Sequence, residues 1–283
     1  MIVNMLRNCS RMHYDAETYS KLDRPWDSVV RFIKVTLPEM GWSSGDKEET
    51  IMDVGCGPGR LTRHFILPCF PSLKKIIAID AVPGMIEQAK KLHPHPKVEY
   101  IVGNFEESSL LNQWKGKLTK FISIQCFNRM KDQKSAFKTV HDLLQPKGEA
   151  AFLFLLHNGY YEGIMKIVKD PKWKSYFKFN VEDSIPTSQL KNYSSLHFKN
   201  MVKDIGFSVR YCQETQNVTT FPTDEDYIEF YYSVCPLAPF IPKDKVQEFK
   251  KDLLNYTSKQ NGRNSDGTPV DKTTTLEMIL QKA

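Results

Sequence analysis

The sequence predicts an α/β fold: a seven-stranded, mostly parallel sheet with helices on both faces and a helical cap. Three observations carry this. Between residues 50 and 156, short and almost wholly apolar runs alternate with segments of helical period, the pattern of parallel strands buried on both faces. The first run ends in a glycine-rich turn, DVGCGPGRLT (53–62), that leads into a helical pattern. After residue 157 the alternation stops, and aromatic and basic segments follow with two late strands.

The elements follow in order. TIMDV (50–54) reads as a strand ending at the glycines, and RLTRHFIL (60–67) as a helix. KIIAID (75–80) is a second strand, GMIEQAKKL (84–92) a helix, and KVEYIVG (97–103) a third strand. LTKFISIQC (118–126) is a fourth strand. QKSAFKTVHDLL (133–144) places apolar residues at 136, 137, 140, 143 and 144, a helical period, and QPKG breaks it. EAAFLFLL (149–156) is a fifth strand. Residues 159–178 read as helix until KDP, and LHFKNMVKDIGF (196–207) as a helix stopped by Gly206. FSVRYCQET (207–215) is a strand, residues 222–257 are helices broken by CPLAPFIP, RNSDGTPVDKT is a loop, and TTLEMILQK (274–282) is the last strand. The expected organisation is one domain over 1–283. A ligand-binding core covers 45–157, helical cap segments cover 158–205 and 217–272, and strands at 206–216 and 274–282 form an antiparallel end to the sheet.

With 283 residues, 41% hydrophobic and 25% charged, the chain has enough apolar material for one large core. The net charge of +6 comes mostly from scattered lysines with no basic stripe, so no nucleic-acid partner is expected. MIVNMLRNCS is too short and interrupted for a signal peptide, and AAFLFLL (150–156) falls far below the roughly 20 residues of a membrane span. A cytoplasmic protein without membrane contact, monomeric or homodimeric, is expected. The six cysteines form no C-x-x-C pair, so neither a zinc site nor a disulfide framework is indicated, and no metal is expected.

The turn itself discriminates between ligands. In the dinucleotide pattern G-x-G-x-x-G, Gly55 and Gly57 fit but the third position is Arg60. The pattern that fits is D-x-G-x-G-x-G, through Asp53, Gly55, Gly57 and Gly59. A pyrophosphate at a helix N-terminus wants N–H donors and no carboxylate nearby. Asp53 instead suits a ligand with positive charge, such as the ammonium and sulfonium of S-adenosylmethionine. Asp80 ends the second strand, where a carboxylate accepts hydrogen bonds from both ribose hydroxyls, a device that nicotinamide cofactors share. Asn104 and Phe105, in GNFE, are placed to bond the adenine amino group and to pack on its ring. Cys56, Ala81, Met85 and Gln125 complete the expected cofactor-binding set.

This order of residues at successive strand ends resembles the class I S-adenosylmethionine-dependent methyltransferases, with their Rossmann-like sheet. A closer resemblance lies in MKDQKSAFKTVHDLL, AFLFLLHN and DPKWKSYF, with LHFKNMVKDIGF and TDEDYIEFYYSVCPLAPFIP behind them. These stretches are similar to the insect-type juvenile hormone acid O-methyltransferases. The resemblance covers roughly residues 15–282 and implies methylation of a sesquiterpenoid or fatty acid carboxyl, giving a methyl ester. The chain also departs from that family. Where its members read Leu-His-Trp, with the Trp expected to line the substrate pocket, this sequence has Phe127, Asn128 and Arg129. The family's N-terminal Gln, thought to hold the carboxyl, has no clear match; Arg24 or Trp26 falls nearest. The family's Asp after the third strand is Asn104.

A carboxylate acceptor, with a pKa of about 4 to 5, is ionised at neutral pH and needs no general base. The sequence accordingly offers positioning groups: Arg129, following the fourth strand, to pair with a carboxylate or else to point to water, and His157, ending the fifth, to orient the substrate. The aromatic region 222–257 suits a lid over a long apolar substrate, or the packing of a helical subdomain. Two alternatives stay open. One is a methyltransferase of the same fold acting on an amine or a hydroxyl, the latter with His157 or His141 as base. The other is a homologue that binds cofactor or hydrophobic acid without turnover.

Overall fold

The structure, a computed structural model, describes residues 15–22, 26–42 and 48–283. Among these residues the strands form one seven-stranded sheet in the order β3-β2-β1-β4-β5-β7-β6. They are β1 (Glu49–Val54), β2 (Leu73–Asp80), β3 (Val98–Val102), β4 (Leu118–Ile124), β5 (Leu144–Asn158), β6 (Phe207–Thr220) and β7 (Val270–Lys282). The pairs β1–β2, β1–β4, β2–β3 and β4–β5 are parallel, and the sheet as a whole is mixed. Asp53 stands opposite Ala78 on one side and Ile122 on the other. The chain runs outward through β2 and β3, then returns to lay β4 on the other side of β1. The order therefore reverses between β1 and β4, and in open α/β sheets ligands bind outside the carboxyl ends of the strands at that point.

The chain forms two compact units. One consists of Asp23–Leu156, Tyr193–Thr215 and Thr275–Ala283. Its strands are apolar on both sides because the sheet is covered on both faces. Met52, Ile77, Ile79, Phe121 and Phe152 enter one buried cluster, while Ile51, Ile76, Ala78, Ile122 and Leu153 enter the other. Neighbouring residues along a strand thus go to opposite cores. Phe127 anchors the first cluster, its ring centroid 4.7 Å from that of Phe152 and 5.0 Å from that of Phe137.

The other unit holds the described residues through Leu22 with His157–Asn192 and Gln216–Thr274. Here the helix Gly159–Ile167 packs on the helix Val246–Asn261 across two glycines one turn apart. A Cβ on Gly163 would lie 2.6 Å from Thr257 Cγ2, so the approach depends on its absence. The same unit buries a polar cluster. Asp271 accepts from Asn261 Nδ2 at 3.0 Å and from Asn158 Nδ2 at 3.4 Å, and Asn261 Nδ2 also donates to the Tyr227 hydroxyl at 3.0 Å. Burial raises the Asp271 carboxyl from 3.8 to about 6. No helix among the described residues is long and apolar enough to cross a membrane.

Four strands differ from expectation. β5 starts at Leu144, taking QPKG into the strand instead of ending the helix in a loop. Leu118 faces Leu144 whereas Lys120 faces Glu149, so the extra residues bulge out, with Lys147 at φ 61°. β6 runs on to Thr220 and β7 begins at Val270, inside the expected loop. β4 ends at Ile124, so Gln125 and Cys126 leave the strand.

Candidate active site

The turn after β1 is built on three glycines that all have positive φ: Gly55 at 78°, Gly57 at 53° and Gly59 at 83°. Gly55 is also a close-approach site, since a Cβ there would lie 2.5 Å from Cys126 Sγ and closer still to its Cβ. The turn is tied to the neighbouring strand by the Gly55 and Cys56 amides, which donate to Ile79 O at 2.8 and 3.2 Å. Gly57 differs, because a Cβ built on it meets nothing within 4 Å. That open space beside a backbone held on both sides is a cradle a side chain would fill.

Two carboxylates flank the turn. Asp53 is 2% exposed and accepts from the Thr62 hydroxyl at 2.6 Å. Burial, opposed by that hydrogen bond and reinforced by the charge of Asp80, raises its pKa from 3.8 to about 7. Asp80, at the end of β2, accepts from the Gly57 amide and the Val82 amide, each at 2.9 Å and each on a different oxygen. It therefore fastens the glycine turn to β2, and a carboxylate so bonded keeps lone pairs for further donors. Its pKa is also raised by burial, against both backbone hydrogen bonds.

The loop after β4 faces the same turn through Cys126. Gln125 adopts φ 56°, its amide donating to Leu153 O at 2.6 Å, and its buried Oε1 has no hydrogen-bond partner. Asn128, 1% exposed, likewise buries an unpartnered Oδ1. An orphaned buried acceptor costs roughly 1–3 kcal/mol and is satisfied by an incoming donor. Burial and the charge of Asp80 push the Cys126 thiol up to about 12, and the charge of Arg129 opposes that. Asp80 is bonded to Gly57 itself, Asp53 lies near the end of the strand that leads into the turn, and the orphaned amide oxygen belongs to the residue before Cys126, which packs on Gly55. This fits a ligand that brings hydrogen-bond donors and positive charge, and it does not fit a pyrophosphate.

The other expected residues are placed as follows. Ala81 is exposed beside Asp80, and Met85 is buried in the helix Pro83–Leu92. Cys56 is buried, and its thiol is raised well above the ordinary value by burial and by Asp53 and Asp80. Asn104 is exposed; its Oδ1 accepts from the Glu106 amide at 3.1 Å. Phe105 is buried, its ring 5.6 Å from that of Phe121 and 5.8 Å from that of Phe127. Trp26 is partly buried and packs against the core cluster that contains Ile51 and Ile122, its carbonyl accepting from Val29 and Val30 at 2.9 and 3.0 Å. His157 lies near the end of β5 and belongs to the other unit. Arg24 lies outside the described residues. Sequence reasoning missed two contributors. Tyr100 packs its hydroxyl 2.8 Å from where a Gly59 Cβ would stand, and its inward position in KVEYIVG was the available signal. Asn128 had no signal beyond its place beside Arg129.

A family described as a methyltransferase domain matches residues 51–148, the stretch that carries this turn and both carboxylates. Juvenile hormone acid O-methyltransferase of Drosophila melanogaster is 24% identical over 78% of this chain and 75% of its own length. The enzyme of that name from Bombyx mori is 24% identical over 80% of each chain. Among solved structures, a putative sarcosine dimethylglycine methyltransferase from Galdieria sulphuraria superposes with a TM-score of 0.56 at 13% identity, covering 90% of this chain and 86% of that one. The chain thus carries a methyltransferase domain over residues 51–148 in a sheet of the class I, Rossmann-like methyltransferase kind, and over most of its length it resembles the juvenile hormone acid O-methyltransferases.

Proposed function

We propose that the protein methylates the carboxylate of a hydrophobic acid, of the juvenile hormone acid, farnesoic acid or fatty acid kind, giving a methyl ester. The observation that carries this reading is the acceptor-lined turn beside a cationic residue. Asp80 bonds the Gly57 amide, Asp53 lies near the end of the strand that enters the turn, Gln125 buries an unpartnered Oε1 in the loop that meets it, and the charge of Arg129 acts on Cys126, which packs against Gly55. Bound there, S-adenosylmethionine supplies an electrophilic methyl group on a sulfonium.

In this reading Asp53 holds the positive end of the cofactor and Asp80 receives the ribose hydroxyls on its remaining lone pairs. Gln125 Oε1 gains the donor it lacks. Cys56, Ala81, Met85, Asn104 and Phe105 line the rest of the cofactor site. Arg129 would pair with the substrate carboxylate and orient it toward the methyl group that the bound cofactor would supply. The carboxylate is already ionised, so the chain's work is orientation, which supplies on the order of 7–11 kcal/mol of barrier lowering when the reacting atoms are well aligned. Among the described residues of the turn and the loop after β4 there is no histidine to act as a base, as carboxylate methylation requires none. The relatives' names support an acid as acceptor.

Calorimetric titration with S-adenosylmethionine against NAD, followed by turnover on a panel of fatty and terpenoid acids, tests the proposal. Binding of the sulfonium cofactor alone and methylation of acids are expected. Turnover of amines or alcohols with no acid methylated overturns the carboxyl assignment, and binding without any turnover overturns the enzymatic one.

A further inference from the structure

The two helices that leave the cofactor turn and Asp80 meet at a pair of histidines. His64 lies in the π turn Thr62–Ile66 of the helix that starts at the glycines. His93 caps the helix Pro83–Leu92, which starts three residues after Asp80. His64 Nε2 and His93 Nδ1 are 3.2 Å apart, with the rings at 88°. His93 is fixed at its backbone, its amide donating to Ala89 O at 2.9 Å and its carbonyl accepting from the Tyr100 hydroxyl at 3.0 Å. His64 is exposed, so the pair is open to solvent.

We propose that His64 and His93 form a two-imidazole site for a borderline divalent cation of the zinc, nickel or copper(II) type, in which the ion bridges the two helices behind the cofactor turn. The spacing suits a ligand pair once the two hydrogen-bonded rings turn their nitrogens toward a common point. Two nitrogens 3.2 Å apart, each about 2.1 Å from one ion, subtend about 100° at it, between the octahedral and tetrahedral angles. Without the ion, one ring donates its N–H to the other. With it, the donating ring moves that proton to its outer nitrogen, a tautomer change that conserves charge and frees both lone pairs.

No group of three or more His, Cys, Asp or Glu side chains able to hold a metal occurs among the described residues. Water or an exogenous anion therefore completes the coordination. Arg60 and Arg63, whose charges reach His93, weaken the site for a bare cation and favour an anionic co-ligand. The proposal does not depend on the methyl-transfer reading.

The test is calorimetric titration of the tag-free chain with nickel and zinc chloride, together with nitrogen-hyperfine spectra of bound copper(II). One ion per chain, two coordinated imidazoles and a raised melting temperature are expected. His64→Gln and His93→Gln should each weaken binding by roughly tenfold or more and leave one imidazole on copper, consistent with loss of one of two ligands. Both variants should melt like the parent in chelator, which separates a lost ligand from a damaged fold. No binding by the parent overturns the proposal, as does binding that neither variant alters.

Discussion

Replacing Gly57 and Gly55 separately by alanine distinguishes a cofactor cradle from a turn that is merely tight. Both residues sit at positive φ, so either alanine costs roughly 1–2 kcal/mol of backbone strain. Gly57→Ala adds nothing more, because its Cβ enters open space. Gly55→Ala also drives a methyl into Cys126, and forced overpacking adds about 1–3 kcal/mol. The expected stability losses are therefore about 1–2 kcal/mol for Gly57→Ala and about 2–5 kcal/mol for Gly55→Ala. Binding should follow a different order. If the cofactor lies against Gly57 as proposed, Gly57→Ala fills its space, and affinity for S-adenosylmethionine should fall by roughly a hundredfold, or about 2.8 kcal/mol, at a small cost in stability. Denaturant unfolding measures the first quantity and titration calorimetry the second. Unchanged cofactor affinity in Gly57→Ala would refute the cradle, and a Gly55→Ala variant no less stable than Gly57→Ala would refute the close-packing argument.

Other predictions follow from single residues. Asp53 titrates at about 7, so a cationic cofactor should favour its ionised form and expel about half a proton on binding at pH 7. Calorimetry in buffers of different ionisation enthalpy should detect this in the parent and not in Asp53→Asn. Arg129→Ala should raise KM for acid substrates about tenfold or more while leaving cofactor affinity unchanged; the same KM for every acid turned over contradicts its role. Asp271 is raised to about 6, so the folded protein binds a proton more tightly than the unfolded chain. Its contribution is fully present below about pH 4 and is lost as pH rises through 6, an effect of about 3 kcal/mol; Asp271→Asn should remove that slope from unfolding curves taken between pH 4 and 7. Gly163→Ala should cost about 1–3 kcal/mol by pushing on Thr257, and the added change Thr257→Ser should recover part of it in melting curves.

The parallel half of the sheet was legible because its strands announce themselves twice, as apolar runs and by the turn residues between them. Met52 and Ile51 go to opposite cores, so no alternation was needed to see β1. The ends of the other strands were not legible. The last residues of β6, QNVTT, carry little apolar character and alternate between partly buried and exposed, so nothing in their composition separates strand from loop. The start of β7 was hidden because Asp271 reads as a loop residue, whereas two asparagine amides satisfy it inside the protein. QPKG does stop the helix, as its proline and glycine indicate, but the extended chain it leaves is taken up by β5 through a bulge. The glycines and Asp53 fall in one motif and Asp80 closes the next apolar run, so their places at the strand ends were readable. The wedge of Cys126 against Gly55 and the orphaned oxygens of Gln125 and Asn128 arise where two strand ends meet, and sequence spacing carries no signal of that.

The central claim is that a carboxylate receives the methyl group, and the fate of a labelled methyl decides it. S-adenosylmethionine carrying a labelled methyl is supplied with farnesoic and long-chain fatty acids, and the products are treated with base. Label is expected in an apolar product that base releases as methanol, as a methyl ester requires. Label in a product that base leaves intact, or none transferred to any acid while another acceptor class is methylated, would contradict it.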